Sequence, residues 1–515
     1  MTNMGFNIVS LFHAAAKQHP KRIAIIDKTG SITFEQLQKD VMASAANMQH
    51  KGLKAGDRVL VFVPISIALY THVLALYHIG CTAVFLDEWV SIKRLSLCCR
   101  IAKCKGFIGV PLARFIGWFV RDVRTIPIHL GTKMNYSSNS ITEPAVIIKE
   151  SETALITFTT GSTGTPKAAK RTHNFLKEQF DALMEKIEPS QDDVDMPALP
   201  IVLLINLGCG VTSVIPDWKS SKPDKMQPEK IWQQVQRHGV NRITSSPYFL
   251  KKLAQYVSSN NISSEQIRKM FTGGAPVFPN EAALITQGFA QSKTQIVFGS
   301  TEAEPISSIY AYELSDRKEE AEKHGLPVGV PYRKSQVKII LWSDEPIACN
   351  NIHELTSLEQ PKGALGEIIV SGPHVLREYF NNDEALKRNK IFIDDNCWHR
   401  SGDSGFLNDK GELFLTGRCT TLFEHEGKTV KPFLIENTLQ QIDGVVLATI
   451  MKLNNEIIYF VELSAQEKKE EVKKSIEQIW PKPSLIVFTD KMPRDKRHHS
   501  KIEYGVLREM MLRQN

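Results

Sequence analysis

The chain has 515 residues, too many for one hydrophobic core, so two or more domains are expected. Hydrophobic residues make up 42%, the level of an ordinary globular protein, and no run reaches the ~18 apolar residues of a membrane-spanning helix. The net charge of +7 comes from Lys and Arg spread along the whole chain, which argues against a nucleic-acid partner and suits anionic small molecules.

Residues 1–10 lack the basic start and long apolar core of a signal peptide, so a cytoplasmic location is expected. Of eight cysteines, Cys98, Cys99 and Cys104 cluster without a C-x-x-C pair or a histidine partner, and they read as small apolar packing groups on a helix. Residues 8–45 read as a helix, a strand pair (24–27 and 31–34) around Thr29 and Gly30, and a second helix. Residues 59–63 are a continuous apolar strand of the kind buried in a parallel sheet. A helix over 67–79 capped by Gly80 and a strand over 82–86 follow. Residues 107–120 read as a buried strand and then a helix, with Arg114 interrupting the apolar run and membrane-surface contact as the minor alternative. This rhythm predicts an α/β fold with parallel-rich sheets covered by helices.

The most informative stretch begins at Ala154. Residues 154–158 form an apolar, β-branched strand that breaks into Thr159, Thr160, Gly161, Ser162, Thr163, Gly164, Thr165, Pro166 and Lys167. Two glycines admit close backbone approach, the hydroxyls add neutral donors and Lys167 adds a cation. Such a loop is built to hold phosphate. It is not the G-x-x-x-x-G-K-[ST] loop of nucleotide-binding P-loops, because Pro166 stands at the second glycine and Ala168 follows the lysine. The pattern resembles T-[ST]-G-[ST]-T-G-x-P-K-G, the phosphate loop of the adenylate-forming superfamily of acyl-CoA synthetases, adenylation domains and luciferases. Ala168 stands at that pattern's last glycine.

Later segments extend the resemblance across nearly the whole chain. A helix is predicted over 174–187. An apolar segment over 201–215 would line the carboxylate pocket, with Val202, Leu203, Leu204 and Ile205 where relatives carry an aromatic or His. Residues 242–248 read as a strand end with a turn bordering the acyl pocket. Gly274, Ala275 and Pro276 follow a strand and, by resemblance, border adenine. Phe298, Gly299 and Ser300 end a second strand, and the Phe298 ring would stack on the base. Thr301 would reach the α-phosphate and Glu302 would hold Mg²⁺, a hard ion suited to carboxylate oxygen. Asp403 matches the acid that accepts from the ribose hydroxyls, and Arg418 the guanidinium on ribose or phosphate. Between them, Asn408, Asp409 and Gly411 mark a hairpin turn.

The resemblance implies a large, multi-subdomain N-terminal domain, 1–417, hinged near Thr420 to a small α+β lid, 418–515. The ending from Met492 to Ile502 keeps the Asp495, Arg497, His498 and Lys501 spacing of olefin-biosynthesis β-lactone synthetases and long-chain fatty-acid-activating relatives. Lys501 would then be the catalytic tail lysine, acting with Glu302, Thr160 and Lys167. The implied substrates are ATP with Mg²⁺ and a carboxylic acid, a long-chain fatty or 3-hydroxy fatty acid. CoA, an acyl carrier protein or the substrate's own β-hydroxyl would be the acceptor.

Overall fold

The computed structural model describes residues 5–86, 91–133, 145–160, 166–218, 222–495 and 499–512. The chain divides into two compact units, one made of residues 1–245, 301–304 and 373–388, the other of 246–300, 305–372 and 389–515.

The first unit carries a six-stranded sheet in the order Ile128–Leu130, Gly106–Gly109, Arg58–Phe62, Thr82–Phe85, Thr153–Thr160, Pro166–Thr172. The first five strands are parallel, and the last two form an antiparallel pair. Parallel strands need crossovers, and the helix Ile67–His78 supplies one between Arg58–Phe62 and Thr82–Phe85. It is buried on nearly all sides, which suits its almost continuous apolar sequence. A second run of strands, Arg242–Ser245, Val194–Pro197, Thr212–Val214 and Ile23–Asp27, is also parallel and ends in the antiparallel Gly30–Thr33. Two of these strands are joined by charge: fully buried Arg242 reaches Asp193 at 2.9 Å and Asp195 at 3.3 Å. Removing Arg242 would strand two buried carboxylates without their cation.

In the second unit Lys269–Gly273 and Lys293–Ser300 run parallel. Gln336–Ile340, Gly366–Ser371, Asn396–Leu407 and Leu413–Arg418 form an antiparallel meander. Residues 423–512 have their own apolar clusters. There an antiparallel pair, Val445–Leu453 and Glu456–Leu463, takes Leu485–Thr489 as a parallel edge and is joined in chain order by the helices Pro432–Leu439, Lys469–Ile476 and Tyr504–Leu512.

Most expected elements are present, with two corrections. Phe34 begins a helix instead of ending a strand, because Thr33 Oγ1 accepts from the Gln36 amide at 3.2 Å and caps Phe34–His50. The segment after Ser245 is a helix, Pro247–Ser259, and not a turn, since Pro247 at its first position has no amide to leave unpaired. The hairpin between Asp403 and Arg418 is as expected: Asn408 Oδ1 accepts from the amides of Lys410 and Glu412 at 3.0 and 2.9 Å, and Gly411 has φ +77°.

Glu436, on the helix Pro432–Leu439, is buried, and its carboxylate accepts hydrogen bonds from the hydroxyls of Thr449 and Tyr504. Burial outweighs those bonds and pushes the Glu436 carboxyl up to about 7 from an ordinary 4.5. The folded chain therefore holds a proton that the unfolded chain has released, so this group's stabilisation is full below pH 4.5 and lost as pH rises to about 7. We expect Glu436→Gln to flatten that fall, by up to about 3 kcal/mol at pH 8 relative to wild type. Urea midpoints of both proteins from pH 4.5 to 8 test this; parallel curves would refute a neutral buried acid.

Candidate active site

In the first unit the site is organised by backbone pairing. The strands Thr153–Thr160 and Pro166–Thr172 pair antiparallel with Thr159 opposite Lys167 and Thr160 opposite Pro166. Gly161, Ser162, Thr163 and Gly164 lie outside the described residues, as does the Thr160 side chain. Beside this pair, the returning segment 373–388 hydrogen bonds to two other stretches of the chain at once. The Phe380 amide donates to Ala168 O at 2.7 Å and the Lys170 amide to Glu378 O at 3.3 Å. The Leu376 amide donates to Glu302 O at 2.7 Å, next to a bridge between Ala303 and Val375.

This pairing delivers Tyr379 between the two charged side chains. Lys167 Nζ stands 5.9 Å from the Tyr379 ring centroid, within reach of its negative face. Tyr379 Oη donates to Glu302 Oε1 at 3.1 Å. Lys170 pairs with Glu378 at 2.6 Å, and Arg171 Nη2 donates to Thr301 O at 3.5 Å, which ties the Thr301 backbone to the phosphate-loop strand. The first unit therefore brings Lys167, Thr301 and Glu302 into one cluster. Tyr379, only 6% exposed, is the residue that sequence reasoning missed as a participant.

The second unit holds the remaining expected residues. Gly273 lies opposite Val297, and a Cβ at Gly273 would fall 2.5 Å from Val297 O. That close approach sets Gly274, Ala275 and Pro276 beside the end of the neighbouring strand, where Phe298, Gly299 and Ser300 are half-buried. Gly274 has φ +86°, a backbone state costly for other residues.

Asp403 and Arg418 are direct cross-strand partners, and Arg418 Nη1 donates to Asp403 Oδ1 at 2.7 Å. The turn before Asp403 is fixed from below. Buried Arg400 and Glu367 pair at 2.7 Å, and Glu367 Oε1 accepts from the Gly402 amide at 3.2 Å. Burial raises the Glu367 carboxyl, opposed by the Arg400 guanidinium. Lys501 is exposed, and Asp495 Oδ1 accepts from the amides of Ser500 and Lys501 at 3.2 and 2.9 Å. The His499 ring lies 6.1 Å from Tyr248.

Burial disfavours the thiolate at several cysteines. Burial pushes Cys81, Cys99 and Cys104 up to about 12 and Cys209 to about 11, and it raises Cys419 further. Among the described residues no three His, Cys, Asp or Glu side chains form a metal cluster.

Residues 12–380 match the family model described as AMP-binding enzyme. The chain is 26% identical over 484 residues to an olefin beta-lactone synthetase of Stenotrophomonas maltophilia, covering 87% of this chain and 86% of that protein. It is 25% identical over 436 residues to a 2-succinylbenzoate–CoA ligase of Enterococcus faecalis, covering 84% and 83%. The crystal structure of ATP-bound MatB from Rhodopseudomonas palustris superposes with a TM-score of 0.81 at 20% identity, over 98% of this chain and 99% of that one. The fold is thus that of the adenylate-forming enzymes.

The Tyr379 hydroxyl should carry a measurable share of this cluster's stability. Tyr379→Phe keeps the ring beneath Lys167 and removes one hydrogen bond to a carboxylate, so a loss of about 1 kcal/mol is expected. An unchanged urea midpoint would show that the hydroxyl does not hold Glu302.

Proposed function

Because the chain belongs to the AMP-binding enzyme family, we propose that it activates a carboxylic acid with ATP, forming an acyl adenylate and pyrophosphate. The observation that carries this reading is the Lys167–Tyr379–Glu302 cluster at the root of the phosphate loop. The attacking carboxylate is already a nucleophile, so the protein need supply no base for this step. It must neutralise charge and align the carboxylate with the α-phosphorus. Lys167 is positioned to meet phosphate oxygens, with Thr160, Gly161, Ser162, Thr163 and Gly164 as the donors of the loop. Glu302 presents an oriented carboxylate, the hard oxygen donor that Mg²⁺ prefers, and Tyr379 fixes its direction. When bound, Mg²⁺ would offset phosphate charge. Thr301 is assigned to the α-phosphate.

Gly274, Ala275, Pro276, Phe298, Gly299 and Ser300 are assigned to the adenine, and Asp403 and Arg418 to the ribose and its phosphate. Residues 418–515 are proposed as the mobile lid on the domain 1–417, and Lys501 as the cation it delivers. The acid is proposed to be a long-chain fatty or 3-hydroxy fatty acid. With a 3-hydroxy acid, attack of the β-hydroxyl on the acyl carbon would close a β-lactone and release AMP. The length of the match to olefin beta-lactone synthetases supports this acceptor, and the match to a CoA ligase supports transfer to CoA instead. An acyl carrier protein is a third acceptor, and a nucleotide-binding relative without catalysis is the alternative from another class. Retention of Lys167, Glu302, Asp403, Arg418 and Lys501 speaks for an enzyme.

Two measurements test the reading. Purified protein should release pyrophosphate only when ATP and an acid are both present, across a panel of fatty and 3-hydroxy acids. Mass identification of the products with and without CoA separates lactone from thioester, whereas ADP as product would exclude adenylation. Lys501→Ala should slow adenylate formation by about 3–4 kcal/mol of transition-state stabilisation, with much smaller effect on ATP binding. Lys496→Ala should leave the rate near wild type, and a dead Lys496 variant would transfer the role away from Lys501.

A further inference from the structure

The helix Pro111–Phe119 is built inside out. Its buried face is made of small residues, Ala113 and Gly117, and a Cβ at Gly117 would fall 2.9 Å from Val123 Cγ1. Its outward face carries the bulk. Leu112, Phe115, Ile116 and Phe119 recur at i, i+3, i+4 and i+7, one continuous helical stripe. They are 67, 65, 44 and 72% exposed, and adjoining Trp118 is 65% exposed. Phe115 and Phe119 pack edge to face at 5.2 Å on the open side. Single exposed apolar residues are ordinary, but five on two and a half turns mark a surface that meets something apolar.

The surrounding charge identifies the partner. Between residues 91 and 130 the sequence has eight Lys or Arg and one acid, Asp122. Asp122 is neutralised locally, by Arg100 at 3.0 Å and by the Ser96 hydroxyl. Arg114 within the helix, and Arg121 and Arg124 just beyond it, are exposed. An aromatic-rich apolar stripe rimmed by arginines matches a bilayer with anionic headgroups: rings enter the acyl boundary while guanidinium groups meet phosphate. Nine residues span about 13 Å, too short to cross a bilayer but enough to lie in its surface.

We propose that the Pro111–Phe119 helix docks the protein on anionic lipid membranes. The inference stands apart from the reaction proposed above, since none of these residues belongs to the nucleotide cluster. It is tested by flotation of the full chain with phosphatidylcholine vesicles, alone or with about 30% phosphatidylglycerol. The protein should float with the anionic vesicles at least about tenfold more than with neutral ones, and high salt should reduce that flotation. Phe115→Ser with Phe119→Ser, and separately Arg114→Gln with Arg121→Gln and Arg124→Gln, should each lower it about tenfold while far-UV circular dichroism and pyrophosphate release stay at wild-type level. Brominated lipid should quench wild-type fluorescence, and Trp118→Phe should remove that quenching while flotation persists. Absence of flotation, equal flotation with neutral vesicles, or flotation indifferent to the Phe115 and Phe119 changes would overturn the proposal. So would a concentration-dependent dimer abolished by those changes, which would assign the face to a second copy of the chain.

Discussion

The arrangement of charges in the first unit depends on one short return of the chain. Segment 373–388 pairs its backbone with the strand after the phosphate loop and with residues 302–303. Backbone hydrogen bonds fix register, and register decides which side chains meet. With Phe380 bonded to Ala168 and Leu376 to Glu302, Tyr379 has little choice of neighbours. A cation and a carboxylate are thereby both brought to one buried ring.

The Asp403–Arg418 pair follows a different logic. Its register is set by an antiparallel hairpin whose turn carries conventional signals, and its base is clamped by the buried Glu367–Arg400 pair. The clamp is expensive to disturb, because either member alone would be a buried charge. The pair above it is not. Arg418 is 49% exposed, and an ion pair that open contributes at most about 1 kcal/mol. Opening Asp403 toward a diol, or Arg418 toward a phosphate, would therefore cost little. A rigid base beneath an easily exchanged pair is a sensible design for binding and releasing a nucleotide.

Sequence marks the candidate residues that are carried by local punctuation. The phosphate loop, the glycine turn at Gly273 and Gly274, and the Asn408–Gly411 hairpin all announce themselves through turn chemistry. The large parallel-rich fold was legible for the same reason, since strands and helices alternate with clear period changes. Tyr379 was not legible as a participant, because its partner Glu302 is 77 residues away and no local pattern encodes that pairing. The Phe34 boundary was missed through a cap, a one-residue decision that Thr33 makes by its side chain. The helix Pro111–Phe119 was found, but its orientation was not. An apolar run ordinarily faces the core, and only the positions of Ala113 and Gly117 against Val123 and Phe107 show that here the small residues do.

These features converge on a chemistry that asks the protein for placement rather than for a nucleophile. Every cysteine whose thiol departs from its ordinary range is pushed upward, so none of these is poised as a thiolate near neutral pH. The histidines that burial perturbs most, His13 and His173, are held down at about 4 and stay neutral, which removes them as proton acceptors with matched affinity. The charged groups gathered in each unit are instead a lysine and a carboxylate around a tyrosine, and a carboxylate with a guanidinium on a hairpin. Groups of that kind are suited to stabilising and orienting anions. A reaction whose nucleophile is the substrate's own carboxylate would ask the protein for that placement and not for a nucleophile of its own.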